Sequence, residues 1–102
     1  MSATGVRKLA EREAEILRAR CEVNGMKRVC RVSEINESGL FVESFVPAIT
    51  GANVNLSFHL PNGHQVNTVG VVTRHQFKFG FSVDFVQLSS ADREQINGFA
   101  RV

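Results

Sequence analysis

The chain of 102 residues has no tryptophan, no tyrosine and only two cysteines. It also has no apolar run of the roughly eighteen residues that a membrane-crossing helix needs. Charged residues interrupt the N-terminal stretch from residue 7 to residue 20, so no continuous apolar core of a secretory signal forms there. The expectation is a cytoplasmic protein without membrane insertion. The sequence carries no G-x-S-x-G elbow, no phosphate-binding P-loop and no G-x-G-x-x-G after a strand. His59, His64 and His75 form no metal-ligand spacing with the cysteines. No enzyme activity, metal or resident cofactor is therefore expected. The missing tryptophan and tyrosine remove two of the usual stacking platforms for single strands, and a net charge of +2 is too small for general polyanion binding, so no DNA or RNA is expected.

What is present fits one small domain. A chain of 102 residues with 43% hydrophobic residues buries one modest core and not two. Its positive charge is uneven, since eight of the twelve Lys and Arg, from Arg7 to Arg31, lie in the first third.

Period-two alternation dominates the middle of the chain. Cys21 and Cys30 flank "VNGM", where Asn24-Gly25 is a two-residue hairpin signal because it accepts the positive φ of a type I′ turn. That turn sets Val23 opposite Met26, Glu22 opposite Lys27, Cys21 opposite Arg28 and Ala19 opposite Cys30. The cysteines are then diagonal, roughly 7 Å or more apart, too far for an unstrained disulfide. Leu17, Ala19, Cys21, Val23, Met26, Cys30 and Val32 are predicted on the apolar face, with Arg18, Arg20, Glu22, Lys27 and Arg31 on the wet one. In "NVNLSFHL", Val54, Leu56, Phe58 and Leu60 alternate with polar residues. A five-residue loop around "PNG" would pair Leu60 with Val66 and Phe58 with Thr68, keeping apolar residues opposite the same face. "VNTVGVVTR" and "FKFGFSVDF" read as a further hairpin, with Phe77, Phe79, Phe81, Val83 and Phe85 inward and Lys78, Gly80, Ser82 and Asp84 outward.

After the last strand, "LSSADREQINGFARV" offers Ser89 or Ser90 as N-cap, Asp92 in the first turn and Ile96 and Phe99 on one side of a short helix. The stretch "VRKLAEREAEILRAR" is rich in helix formers and predicts a helix, or a segment ordered on binding, up to about Ala14. The division expected is a switch or helical segment over residues 1–15 and a barrel with its helix over 16–102. Six short strands with hairpin connections favour a closed antiparallel β-barrel, because closure removes exposed strand edges. Met1 and a near-complete domain fit a stand-alone protein.

One polar turn stands out. In "VSEINESGLFVES" a strand breaks at a carboxylate, an amide and a glycine and then resumes. This turn with its "GLFV", the later "VVTR", the "FGFSVDF" strand and the "LSSADREQI" helix start together resemble the PilZ domain, the bacterial receptor module for cyclic di-GMP. The likeness runs from about Lys8 to Phe99. It implies a mainly β fold, a six-stranded PilZ-type barrel with a C-terminal helix. The family's ligand motifs are an R-x-x-x-R pair and a [D/N]-x-S-x-x-G turn. Here the first is represented by Lys8 and Arg12 in "KLAER", and the second by Glu34, Asn36 and Gly39 in "EINESG". Only Arg12 and Gly39 keep the family's residue at these named positions. The resemblance also puts Arg74 of "VVTR" on the barrel surface near the ligand.

The resemblance thus implies ligand contacts from Lys8, Arg12, Glu34, Asn36, Gly39 and Arg74, with cyclic di-GMP as ligand and a protein as downstream partner. Lysine at position 8 keeps the charge but loses the planar fork by which an arginine grips guanine O6 and N7. Glu34 keeps a carboxylate acceptor on a longer arm, and Asn36 is bulkier than serine. Two functions follow from the same residues. One is a receptor whose N-terminal segment is ordered over the nucleotide and relays its presence. The other is an adaptor that keeps the barrel, does not bind the nucleotide and acts through protein contacts.

Overall fold

The structure, a computed structural model, describes residues 7–8, 17–44, 48–76 and 78–100. Its strands are β1 (Arg7–Lys8), β2 (Leu17–Val23), β3 (Met26–Asn36), β4 (Gly39–Glu43), β5 (Asn53–His59), β6 (Gln65–Gln76) and β7 (Gly80–Gln87), followed by helix α1 (Ser90–Ala100). All pairings are antiparallel, in the order β1-β3-β2-β5-β6-β7-β4, and β4 returns to β3 to close a six-strand ring. This is the expected barrel. The two-residue β1 extends β3 beyond the end of β2, with Arg7 opposite Ile35 and Lys8 opposite Glu34. At these two positions the backbone is extended, where the local composition predicts a helix or a segment ordered on binding; the rest of that segment up to Ala14 lies outside the described residues.

Alternation fills the interior. Leu17, Ala19, Cys21, Val32, Val42, Val54, Leu56, Phe58, Val66, Val72 and Val83 are all buried, and the described residues include no buried polar or charged side chain. Full burial of each larger apolar side chain contributes about 1.5–3 kcal/mol. The β2–β3 register matches the expected one at every rung named, and Asn24 and Gly25 take φ of 53° and 79°. Cys21 and Cys30 are free thiols, and burial pushes the Cys21 thiol from 9.0 up to about 12, with the neighbouring Cys30 adding to the rise. Met26 departs from the expectation: it has the parity of the core face but is 54% exposed, because it stands at the hairpin tip, past the last rung with β4 at Arg31.

Two further departures come from turns. Phe58 pairs with Val66 and not with Thr68, and the Leu60 N–H donates to the His64 carbonyl at 2.9 Å. The connection is thus the three residues Pro61, Asn62 and Gly63: the Gly63 N–H returns to the Leu60 carbonyl at 2.8 Å, and Gly63 sits at φ 92°. A type I turn closed by a left-handed glycine has this form, and it preserves the apolar face with a loop two residues shorter than expected. Phe79, expected inside, is 69% exposed, because its N–H closes a turn on the Gln76 carbonyl at 3.0 Å and β7 starts only at Gly80. Phe81 and Val83 are buried as expected, Phe85 is half-buried and stacks on Phe58 at 6.5 Å, and Phe77 lies outside the described residues.

Ser89 caps α1, its hydroxyl accepting the Asp92 N–H at 3.0 Å. Ile96 is fully buried and the helix packs against β3. Polar tethers hold the remainder: Asn62 to Gln95 at 2.7 Å, His64 to Asp92 at 2.7 Å, and Asn97 to Glu37. His64 is therefore a partner of the helix.

Candidate functional site

The polar turn between β3 and β4 is built by Asn36. Its side-chain Oδ1 accepts the Ser38 N–H at 2.8 Å and the Gly39 N–H at 3.2 Å, the local bonding by which an asparagine ends one strand and starts the next. Gly39 then enters β4 against β7 so closely that a Cβ there would lie 2.0 Å from the Val83 carbonyl oxygen. Strand packing alone requires this glycine.

On the outer surface of β3, β4, β7 and β6 the register lines up a row across four strands: Glu34 opposite Phe41, Phe41 opposite Ser82, Ser82 opposite Arg74. The neighbouring row runs from Asn36 through Gly39 to Asp84. With strands about 4.8 Å apart, Asn36 and Asp84 stand roughly 10 Å from each other across the bare Gly39 backbone. The result is an open groove of about 630 Å³, floored by Phe41 and Gly39. Its two ends are set by irregularities. The β3–β4 register shifts between Val32 and Glu34, and the β6–β7 register between Val72 and Arg74. Such bulges re-aim the following side chain, here Glu34 at one wall and Arg74 at the other.

Glu34, Asn36, Gly39 and Arg74 therefore line one groove, and backbone pairing brings Lys8 opposite Glu34. Arg12 lies outside the described residues. Sequence reasoning missed the groove's aromatic floor and one carboxylate. Phe41 is half-buried and faces out between the inward Leu40 and Val42, and Asp84 is exposed beside Gly39. The parity of "GLFV" carries the signal for Phe41. For Asp84 the outward parity was legible, but the β4–β7 register that brings it to Gly39 was not.

Charge in the groove is mixed. Glu34, Glu43 and Asp84 supply carboxylates and Arg74 a cation, while Glu43 also meets Arg31 at 3.7 Å. A carboxylate accepts hydrogen bonds only, the guanidinium donates only, and the exposed Phe79 rims one end. Such a site suits a ligand with a donor edge, a flat ring and an anionic group. Among the described residues no group of three or more His, Cys, Asp or Glu is arranged to hold a metal, and no helix is long and apolar enough to cross a membrane.

No protein-family model and no curated protein matches the sequence. Solved structures do match in shape. The Bacillus subtilis inhibitor of motility MotI/DgrA superposes with a TM-score of 0.80 at 14% identity, over 99% of this chain and 50% of that one. Borreliella burgdorferi PlzA, solved in complex with c-di-GMP, superposes with a TM-score of 0.73 at 13% identity, over 98% of this chain and 41% of that one. The chain thus spans half or less of the length of these two neighbours. Both are PilZ-domain proteins, and the likeness, at this identity one of fold, gives the chain a PilZ-type barrel.

Proposed function

We propose that the protein is a small non-catalytic signalling module of the cytoplasm that binds cyclic di-GMP in the β3–β4–β7–β6 groove and relays it to a protein partner. The observation that carries this reading is the convergence of Glu34, Asn36, Gly39 and Arg74 on one groove, with the backbone of Lys8 paired beside Glu34. A fold neighbour solved with c-di-GMP adds support. In this reading Glu34 accepts from a guanine edge, Arg74 and Lys8 face phosphate, and Arg12 closes the N-terminal segment over the ligand. A ligand that contacts only the closed arrangement shifts the population toward it, and that shift is the signal.

The test is titration calorimetry with cyclic di-GMP, with GTP as specificity control. Saturable binding that Arg12→Ala abolishes and Lys8→Arg tightens is the expected result. A folded protein that gives no heat at high micromolar ligand rejects it. Two observations favour the second reading, an adaptor without nucleotide. Asn36 Oδ1 is committed to the turn, and described carboxylates outnumber described cations in the groove. Under that reading Lys8→Arg changes nothing and Arg12→Ala leaves partner binding intact.

A further inference from the structure

Within the groove two carboxylates, Glu34 and Asp84, lie diagonally on either side of the Phe41–Gly39 floor, one row apart. Gly39, whose Cβ would run into the β7 backbone, separates Asn36 from Asp84 with no side chain between them, and Phe41 stands in the adjacent row with a half-buried ring. We infer that Asp84 is a specificity-determining residue that selects guanine over adenine, reading the base edge while the base stacks on Phe41. This rests on the nucleotide reading above and adds two residues to it.

The chemistry is one of matching signs. The Watson–Crick edge of guanine presents N1–H and an exocyclic amine, two adjacent donors, which an acceptor-only carboxylate satisfies with charge-assisted bonds. Adenine presents one amine beside the N1 acceptor, so the same carboxylate meets a lone pair and loses one of the two bonds. Rejection of this kind is strong, because polar groups at the contact are left unpaired. Asp84 is placed for this task by its rung opposite Gly39, where the two strands pack so tightly that its Cα would lie 3.0 Å from a Cβ at Gly39. Phe41, anchored between the inward Leu40 and Val42, offers a platform indifferent to which purine lies on it. The two residues therefore have separable effects, one on discrimination and one on affinity.

The experiment titrates the full chain and its variants with cyclic di-GMP and cyclic di-AMP by calorimetry, each variant first checked by thermal melting. Asp84→Ala is expected to weaken cyclic di-GMP by roughly ten- to a hundredfold and to shrink the preference over cyclic di-AMP by a similar factor. Asp84→Asn, which keeps size but mixes donor and acceptor, is expected to fall between. Phe41→Leu preserves an apolar floor and is expected to weaken both nucleotides equally, leaving their ratio unchanged. An Asp84→Ala protein with wild-type affinity and wild-type preference overturns the inference while leaving the nucleotide reading standing. A wild-type protein that binds neither nucleotide rejects both.

Discussion

The barrel has two outer walls of different character. Over β2 and β5 the ladders with β3 and β6 run without a register shift, and their outward residues, Arg18, Arg20, Asn55, Ser57 and Asn67, simply alternate with the core. Over β4 and β7 the ladders with β3 and β6 slip at Val32/Glu34, at Val72/Arg74 and at Val69/Gly70, and an aromatic ring, a bare glycine and two carboxylates face out. Both walls bury the same kind of apolar interior. What separates them is where the backbone leaves regular pleating, and each departure beside the groove re-aims a charged residue toward it. Irregularity, more than composition, sets the groove wall apart.

The largest effect is expected where β4 and β7 pack most closely beside the groove, at Gly39. Gly39→Ala places a Cβ 2.0 Å from a backbone oxygen that no rotamer change can move, and it is expected to cost more than about 3 kcal/mol or prevent folding. Gly98→Ala, in α1 with nothing within 4 Å of the added Cβ, is the control and is expected to be neutral or stabilising by up to about 1 kcal/mol. Urea unfolding of the two variants reads both. The next effect lies behind the regular wall. Because the folded Cys21 thiol is pushed from 9.0 up to about 12, the native state holds a proton that the unfolded chain releases. Stability from this group is full below pH 9 and is lost as pH rises from there toward 12. The slope approaches about 1.4 kcal/mol per pH unit. The difference between wild-type and Cys21→Ala unfolding free energies between pH 8 and 11 is expected to follow it; a flat difference would refute it.

The same contrast explains what the sequence made legible. On the regular wall alternation plus one turn signal was enough: Asn24-Gly25 determined every named β2–β3 rung, because a two-residue turn with positive φ at both positions admits one register. Around "PNG" the parity was readable but the rung was not, since three- and five-residue loops both keep Phe58 and Val66 on the core face. Phe79 follows the Phe-x-Phe alternation yet belongs to a turn, because hydrogen bonding to Gln76, invisible in hydropathy, delays β7 to Gly80. On the groove wall the polar turn could be located from "EINESG", but not the β4–β7 and β6–β7 rungs that carry Asp84 and Arg74 to it. Those rungs join segments distant in sequence and pass through bulges, for which no local residue pattern is sufficient.

Two asparagines, one on each wall, are expected to differ by a smaller amount. Asn36→Ala removes the acceptor for two backbone N–H groups at the start of β4, at 2.8 and 3.2 Å, and is expected to cost about 1–2 kcal/mol. Asn55→Ala, at an exposed rung of the regular wall opposite Val69 and Glu22, is expected to stay within about 0.5 kcal/mol of wild type. The same residue type is then structural on one wall and replaceable on the other. A binding assay separates a further possibility. If the Asn36 carboxamide served the ligand alone, Asn36→Ala would lower nucleotide affinity and leave the melting temperature untouched. The turn geometry instead predicts that stability falls first, and that any loss of affinity comes through a loosened Gly39 floor. Asn36→Asp makes the distinction. It retains the Oδ acceptor for Ser38 and Gly39 but replaces the amide donor with negative charge, so it is expected to melt close to wild type while weakening an anionic ligand.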